Sequence, residues 1–575
     1  MDGDLILRGG LVVDGTGRPG EVGDVSIVGG KVAEVGTVQD PPVGAREVDV
    51  DGLVVAPGFI DVHTHYDAQI CWDETFAAIG QYGVTTVVMG NCGIGMAPVR
   101  DADHAYLVQL LARIEGMPQR TLEMLDWKWT TMTDYLAVID RPMGVNVVSL
   151  VGHSPLRRYV MGEASYERAA TEDEVEAMRR ELRDALAAGA WGFSSSVGGT
   201  HSDLAGRPAP SRLATHDEFG ALADVVGEFP FGIIGMSPES KLRGLNAKDR
   251  ALLTLLSLRG GASVNWNPLV YSAALPDVWR TNLDASTEAA AAGARVFGVF
   301  NPNGMGGTRV DLRSLHLFGY LPRWGELALR SHAEKVRAFR DPETRRALAD
   351  DLANDSSMGV LTERLKAMWD ILRVTAAPSA TNQRYVGRLV GDIARERGQS
   401  PLDTMLDIAL DDDLETVFMQ EDLRTSDDAA LAAFAEMAAS PHVIFGGSDA
   451  GAHMDMLANE SLPARALDWR VREQGVLTLE ETVRRFSAGV AEAIGLPGRG
   501  RLAPGLAGDV VVFDADAVRP GSAYVVHDLP GGGERMMTRS TGFHLTVVDG
   551  HIAFADGEPT GALPGRLLRS TETAS

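Results

Sequence analysis

Cysteine is nearly absent from this chain: 575 residues hold only Cys71 and Cys92. Two thiols cannot build a disulfide framework, so the fold must rest on an apolar core, and such sparing use suits a reducing compartment. No stretch approaches the roughly 18 consecutive apolar residues that a membrane-spanning helix needs. The start, Met1-Asp2-Gly3-Asp4-Leu5, lacks the basic residues and apolar core of a secretion signal. A cytoplasmic location is therefore expected. Positive charge is also scarce, with 53 Lys and Arg against 79 Asp and Glu, leaving −26. That balance argues against nucleic acid or an anionic membrane as partner, and it is read here as solubility. The remainder is ordinary for a soluble globular protein, 45% hydrophobic and 23% charged, on a chain too long for one small core. A large barrel with accessory parts, acting on a small molecule, is the expectation; homo-oligomer formation is left open.

The two ends of the chain share one pattern. Leu5-Ile6-Leu7, Leu11-Val12-Val13, Val25-Ser26-Ile27-Val28 and Val32-Ala33-Glu34-Val35 alternate as short strands joined at glycines. The pattern returns in Asp509–Phe513, Leu545–Gly550 and His551–Phe554. Neither piece can close a core alone, so one small β-sandwich formed from residues 1–55 and 496–565 is expected, with a loose tail over 566–575.

Between the ends, apolar runs at Thr85–Met89, Val145–Val151, Trp191–Ser195, Phe231–Met236, Ala262–Trp266, Ala294–Phe300 and Val443–Gly447 join the opening Phe59-Ile60-Asp61-Val62 to make eight strands. Helical segments separate many of them. Thr171-Glu172-Asp173-Glu174 is a capping box before one helix, and Thr215-His216-Asp217-Glu218 repeats it. The class read from this is α/β, a (β/α)8 TIM-like barrel over residues 56–495, with a helical insertion at about 301–440 between strands seven and eight. The insertion either covers the barrel mouth or thickens its outside.

In such a barrel the chemistry stands at the C-terminal ends of the strands. Strand one delivers His63 and His65, whose side chains share one face because an extended backbone alternates. Two imidazoles held in register make half of a metal site. Strand two runs into Gly90-Asn91-Cys92-Gly93, strand three into His153 and Arg157, strand four towards His201, and strand eight into Ser448-Asp449 and His453. Asp449, facing two histidines, is read as metal ligand or general base, although a carboxylate there could simply cap a turn. Cys92 is a candidate ligand with the alternative of an inert core thiol. For His153, His201 and His453, holding loops and touching substrate are equally open. A substrate carboxylate would need a fixed cation, for which Arg157, Arg207 and Arg212 are candidates.

These motifs, Pro57-Gly58-Phe59-Ile60-Asp61-Val62-His63-Thr64-His65-Tyr66-Asp67, Gly90-Asn91-Cys92-Gly93 and Ser448-Asp449-Ala450-Gly451-Ala452-His453, resemble the amidohydrolase superfamily, specifically its N-acyl-D-amino-acid deacylase (D-aminoacylase) branch. Gly192–Ser196, Thr200-His201, Gly206-Arg207-Pro208 and the closing Leu502–Asp509 extend the similarity to the long bacterial members. The resemblance implies a metal-bearing barrel with a β-sandwich, and an Asp449 that serves as both ligand and acid-base group.

The departures bear on the metal. Family members place one histidine after strand five and another after strand six, where this chain has Gly235-Met236-Ser237-Pro238-Glu239 and Asn265-Trp266-Asn267-Pro268. Strand four offers no lysine for a bridging carbamate. The expectation is one divalent ion, Zn2+ by ligand type, on His63, His65 and Asp449 with Cys92 near or bound, and no usual second ion. The function expected is hydrolysis of a linear amide of the N-acyl-D-amino-acid type by metal-activated water. Hydrolysis of a cyclic amide or imide is the alternative within enzymes, and a non-catalytic metal-binding barrel the alternative outside them.

Overall fold

The computed structural model describes residues 4–203, 206–303, 307–355, 359–420 and 427–572. Both chain ends meet in one nine-stranded sheet. Val510–Phe513, near the end, pairs antiparallel with Val54–Pro57, near the start, with Val511 opposite Ala56. Beyond that seam lie Leu5–Val12, Glu21–Val28 and Lys31–Gly36 on one side and Phe543–Val548, His551–Ala555 and Glu558–Pro559 on the other. The alternating apolar residues named above supply the reason for the seam. Leu5, Leu7, Val25, Ile27 and Val55 bury against Val510, Val512 and Val547, a core that neither end could assemble alone.

The barrel strands are Phe59–Asp61, Val84–Met89, Asn146–Ser149 continued by Val151–Gly152, Gly192–Ser196, Ile233–Ser237, Ser263–Leu269, Val296–Phe300 and Val443–Phe445, all parallel to their neighbours. The ring closes through a side chain: Asp61 Oδ1 accepts from Gly447 N at 3.0 Å and Oδ2 from Ser448 N at 3.3 Å. Ile60, Val62, Val88, Val148, Leu150, Ile233, Val299 and Ile444 cluster in a second core. Strands buried on both faces read as continuous apolar runs, which is why the sequence discloses them.

Thr171 and Glu174 form the expected capping box on helix Glu172–Ala187. The second box is only half made. Thr215 accepts from Glu218 N, but the Glu218 carboxylate turns inward to other partners described below. After the last barrel strand come two short helices, Leu479–Phe486 and Ala488–Ile494, broken at Ser487.

Two expectations need correction. The insertion is not purely helical: Thr308–Val310, Leu372–Ala376 and Val417–Gln420 form an antiparallel three-stranded sheet beneath its helices. Phe318, Trp324, Phe339, Leu348 and Phe418 give it an apolar core of its own. Residues 304–306, 356–358 and 421–426 of that segment lie outside the described residues. The tail is not loose over 566–572. Arg566 N donates to Asn146 Oδ1 and Leu568 N to Val147 O, while Leu567 and Leu568 are buried against the third barrel strand. Two apolar residues in a polar stretch were enough to dock it; residues 573–575 lie outside the described residues. Among the described residues no helix is long and apolar enough to cross a membrane.

Candidate metal centre

The end of strand one is held in place by backbone bonds across the barrel mouth. His65 N donates to Ala450 O at 2.7 Å, and Asp449 N donates to His63 O at 3.2 Å. Gly451 has φ +89, and a Cβ there would lie 2.5 Å from His65 O, so only glycine lets the eighth loop approach this closely. Cys92, Asp449 and His453 also take positive φ, of 57°, 61° and 49°. Backbone strain of this kind in non-glycine residues gathers where side chains must be aimed.

Those constraints bring residues from opposite ends of the chain together. The ligand atoms of His63, His65 and Cys92 lie within 4.8 Å of one another, and all three residues are buried. Asp449 Oδ1 stands 3.1 Å from His65 Nε2 and 3.5 Å from His63 Nε2, and Cys92 Sγ lies 3.5 Å from His63 Nε2. His453 Nε2 is 3.9 Å from the other Asp449 oxygen. Burial and the neighbouring His65 push the His63 ring down to about 3, which keeps it neutral and able to ligate. Burial acts the same way on His65, but the Glu115 and Asp449 carboxylates outweigh it and raise that ring well above its usual value. Asp449 is held below the ordinary carboxylate range: burial alone would raise it, but the hydrogen bond and charge of His65, with His63 and His453, prevail. His65 thus sits between two anions and holds a cation's place with its own proton. His65 Nε2 is nevertheless a buried nitrogen with no hydrogen-bond partner of good geometry, as is Glu115 Oε1 among oxygens. Two imidazoles, a thiol and a carboxylate converging on one point fit a divalent ion that would take the place of the His65 proton, with zinc favoured by that ligand set.

The sequence reading missed two members of this cluster. Glu115 closes helix His104–Ile114 and lies 3.4 Å from His65 Nε2. Its backbone carbonyl accepts from His453 N, and burial raises its carboxyl to about 7. A signal existed: a carboxylate at the negative end of a helix opposes the helix dipole and calls for a compensating cation nearby. Lys241, past strand five, is 7% exposed and donates to Ser237 Oγ. No spacing or motif distinguished it from a surface lysine.

Other candidates are placed differently. His153 and Arg157, expected at the substrate, are fully buried in a network of their own. His153 Nδ1 meets Ser195 Oγ at 2.9 Å and its Nε2 meets Glu218 Oε1 at 2.8 Å, while Arg157 pairs with Glu218 Oε2. Both ring nitrogens of His153 are engaged and the Arg157 charge is matched, so neither is free to bind substrate. Glu218→Ala is therefore expected to cost about 3 to 5 kcal/mol of stability, because it strands a buried guanidinium. Denaturant unfolding measures this, and a loss below about 1 kcal/mol would show the network to be solvated. Arg207 is held by Asp203 at 2.6 Å and lies over the Tyr166 ring. Arg212 Nη1 donates to His201 O, and its charge, after burial, Lys241 and His65, helps hold the buried His201 ring well below its usual value.

A pH dependence arises at another buried carboxyl. Glu460, 8% exposed, is raised by burial from 4.5 to about 7. A carboxyl whose folded value lies above its unfolded one binds more protons folded, so the contribution of Glu460 to stability is full below pH 4.5 and is lost as pH rises towards and through 7. The loss amounts to about 3 kcal/mol across that window, and Glu460→Gln is expected to remove it. Unfolding of both proteins across that range checks the slope; parallel curves would contradict it.

Comparison with known proteins follows the same lines. Residues 46–554 match the amidohydrolase family. A D-aminoacylase of Alcaligenes xylosoxydans xylosoxydans is 28% identical over 576 residues, covering 99% of this chain and 98% of the relative. A structure of the N-acyl-D-glutamate deacylase of Bordetella bronchiseptica, complexed with zinc and a phosphonate mimic of the tetrahedral intermediate, superposes with a TM-score of 0.64 at 25% identity, covering 99% of this chain and all of the other. A D-aminoacylase structure described as having a binuclear metal centre, with one-metal activation and second-metal attenuation, gives 0.65 at 25% identity over the same shares.

Proposed function

This chain belongs to the amidohydrolase family, and from that premise we propose that it releases an amino acid from an N-acyl-D-amino acid by hydrolysing the amide bond, with one divalent ion at the centre. The observation that carries the reading is the convergence of His63, His65, Cys92 and Asp449 from strands one, two and eight on one buried point. A divalent ion held there would polarise an amide carbonyl and make water nucleophilic near neutral pH. Asp449 accepts the water's proton and returns it to the leaving nitrogen; with about a third of its side chain exposed, it reaches the open side of the centre. His63 and His65 orient Asp449 from the buried side. In this reading the developing oxyanion accepts from His201, held neutral and with Nδ1 unpartnered, and from His453, whose Nε2 lies 3.9 Å from Asp449. Arg212, whose charge reaches His201, meets the substrate carboxylate.

The sheet made from both chain ends serves as the family's β-sandwich, and the insertion shapes the mouth. Arg309 and Arg313 of the insertion both reach Glu534, on the hairpin formed by Tyr524–Leu529 and Gly533–Met537, and Met536 N donates to Met454 O beside the eighth loop. Two free thiols, Cys71 half-buried and Cys92 buried, support a reducing compartment such as the cytoplasm.

The test is a substrate screen with metal-replete protein: N-acyl-D-amino acids, their L enantiomers, lactams and cyclic imides. Release of free amino acid from the D series, at least tenfold faster than from the L series, is expected. Turnover of the cyclic amides alone, or of none, overturns the proposal.

A further inference from the structure

Cys92 and His63 share a neighbour that is a donor rather than a further ligand. Asn267 Nδ2 stands 3.8 Å from Cys92 Sγ and 3.4 Å from His63 Nε2, and an amide nitrogen has no lone pair to give a metal. Ser237 ends strand five, and its hydroxyl is taken by Lys241 Nζ. That ammonium lies between strands four and five, since a Cβ on Gly198 would be 3.7 Å from Nζ. Burial lowers its pKa, and the groups that oppose this are Cys92, Asp449 and Glu115, in that order, then Asp249. Lys241 in turn acts on His63 and His201. A buried cation is costly unless anions surround it, and here the anions are those of the centre.

We infer that the Lys241 ammonium stands in for a second metal ion, so that the centre holds one divalent ion and one fixed ammonium. A second divalent ion would face the ammonium's repulsion, and would find the Ser237 hydroxyl and the Asn267 amide where it needs soft or anionic ligands. The inference rests on the metal centre proposed above but not on the identity of the amide.

Cobalt(II) titration of metal-stripped protein tests it, because visible absorption, including the thiolate band of Cys92, reports ions at the centre and not on the surface. The wild type is expected to saturate at one equivalent and show no second transition at tenfold excess. Lys241→Glu, which reverses the charge, and Lys241→Met, which removes it, are each expected to bind a second equivalent at least tenfold more tightly than the wild type. Lys241→Arg should keep one. A second transition in the wild type overturns the inference, as does second-ion binding left unchanged in whichever of the Glu and Met variants folds. A one-equivalent wild type that hydrolyses no amide would end the deacylase proposal and leave this one standing. A two-equivalent wild type that turns over N-acyl-D-amino acids would end this inference and the one-ion centre, and leave the deacylase activity standing.

Discussion

Asp449→Asn is expected to lower kcat/KM by about a thousandfold or more, equivalent to roughly 4 kcal/mol of transition-state stabilisation. The side chain is asked to do two things that an amide cannot. It presents an anionic oxygen 3.1 Å from His65 Nε2 and 3.5 Å from His63 Nε2, and it shuttles a proton between water and leaving nitrogen. The substitution should spare the fold, because asparagine tolerates the left-handed backbone, φ 61°, that position 449 requires. The Asp449 N bond to His63 O belongs to the backbone and survives. Steady-state rates on the best N-acyl-D substrate, with an unfolding midpoint alongside, measure both expectations. Activity within tenfold of wild type would remove the acid-base role.

The second large effect concerns the ion itself. His63→Ala/His65→Ala removes both imidazoles and leaves Cys92, Asp449 and Glu115, a set with no neutral nitrogen ligand. Bound metal is expected to fall from about one ion per chain to below about a tenth, with turnover lost in proportion. The variant also releases two carboxylates, the partly exposed Asp449 and the buried Glu115, from the ring that lies between them. Their mutual repulsion then shows as a lowered unfolding midpoint. Metal analysis after gel filtration reads the first consequence. Retention of a full equivalent would move the binding site elsewhere in the chain.

The barrel strands and the first-strand histidines were legible in the sequence because their signals are local. Doubly buried parallel strands write themselves as unbroken apolar runs, and His63 and His65 follow one of them directly, two residues apart. Asp449 was legible because the barrel architecture assigns every strand end to one face. What stayed hidden depended on partners far away in the chain. The Glu218 carboxylate looked like half of a capping box until the structure showed it taken by His153 and Arg157, which the sequence had offered as substrate contacts. Choosing between a helix cap and a buried ion network is a tertiary decision with no periodicity to mark it. Lys241 was hidden for the same reason: an ammonium four residues past a strand looks the same whether it meets water or the carboxylates of a metal centre. The insertion's sheet escaped notice because Thr308–Val310 and Val417–Gln420 are too short to show an alternation and pair across more than a hundred residues.

The central claim is that a single ion, gripped by groups from both ends of the chain, is what makes this protein an amide hydrolase. Zinc added back stepwise to metal-stripped protein, with release of amino acid from an N-acyl-D-amino acid followed at each step, tests it most directly. Activity should start near zero, climb in proportion to zinc and level off at one equivalent per chain. Full turnover by the stripped protein, or a rise that begins only after the first equivalent is bound, would contradict it.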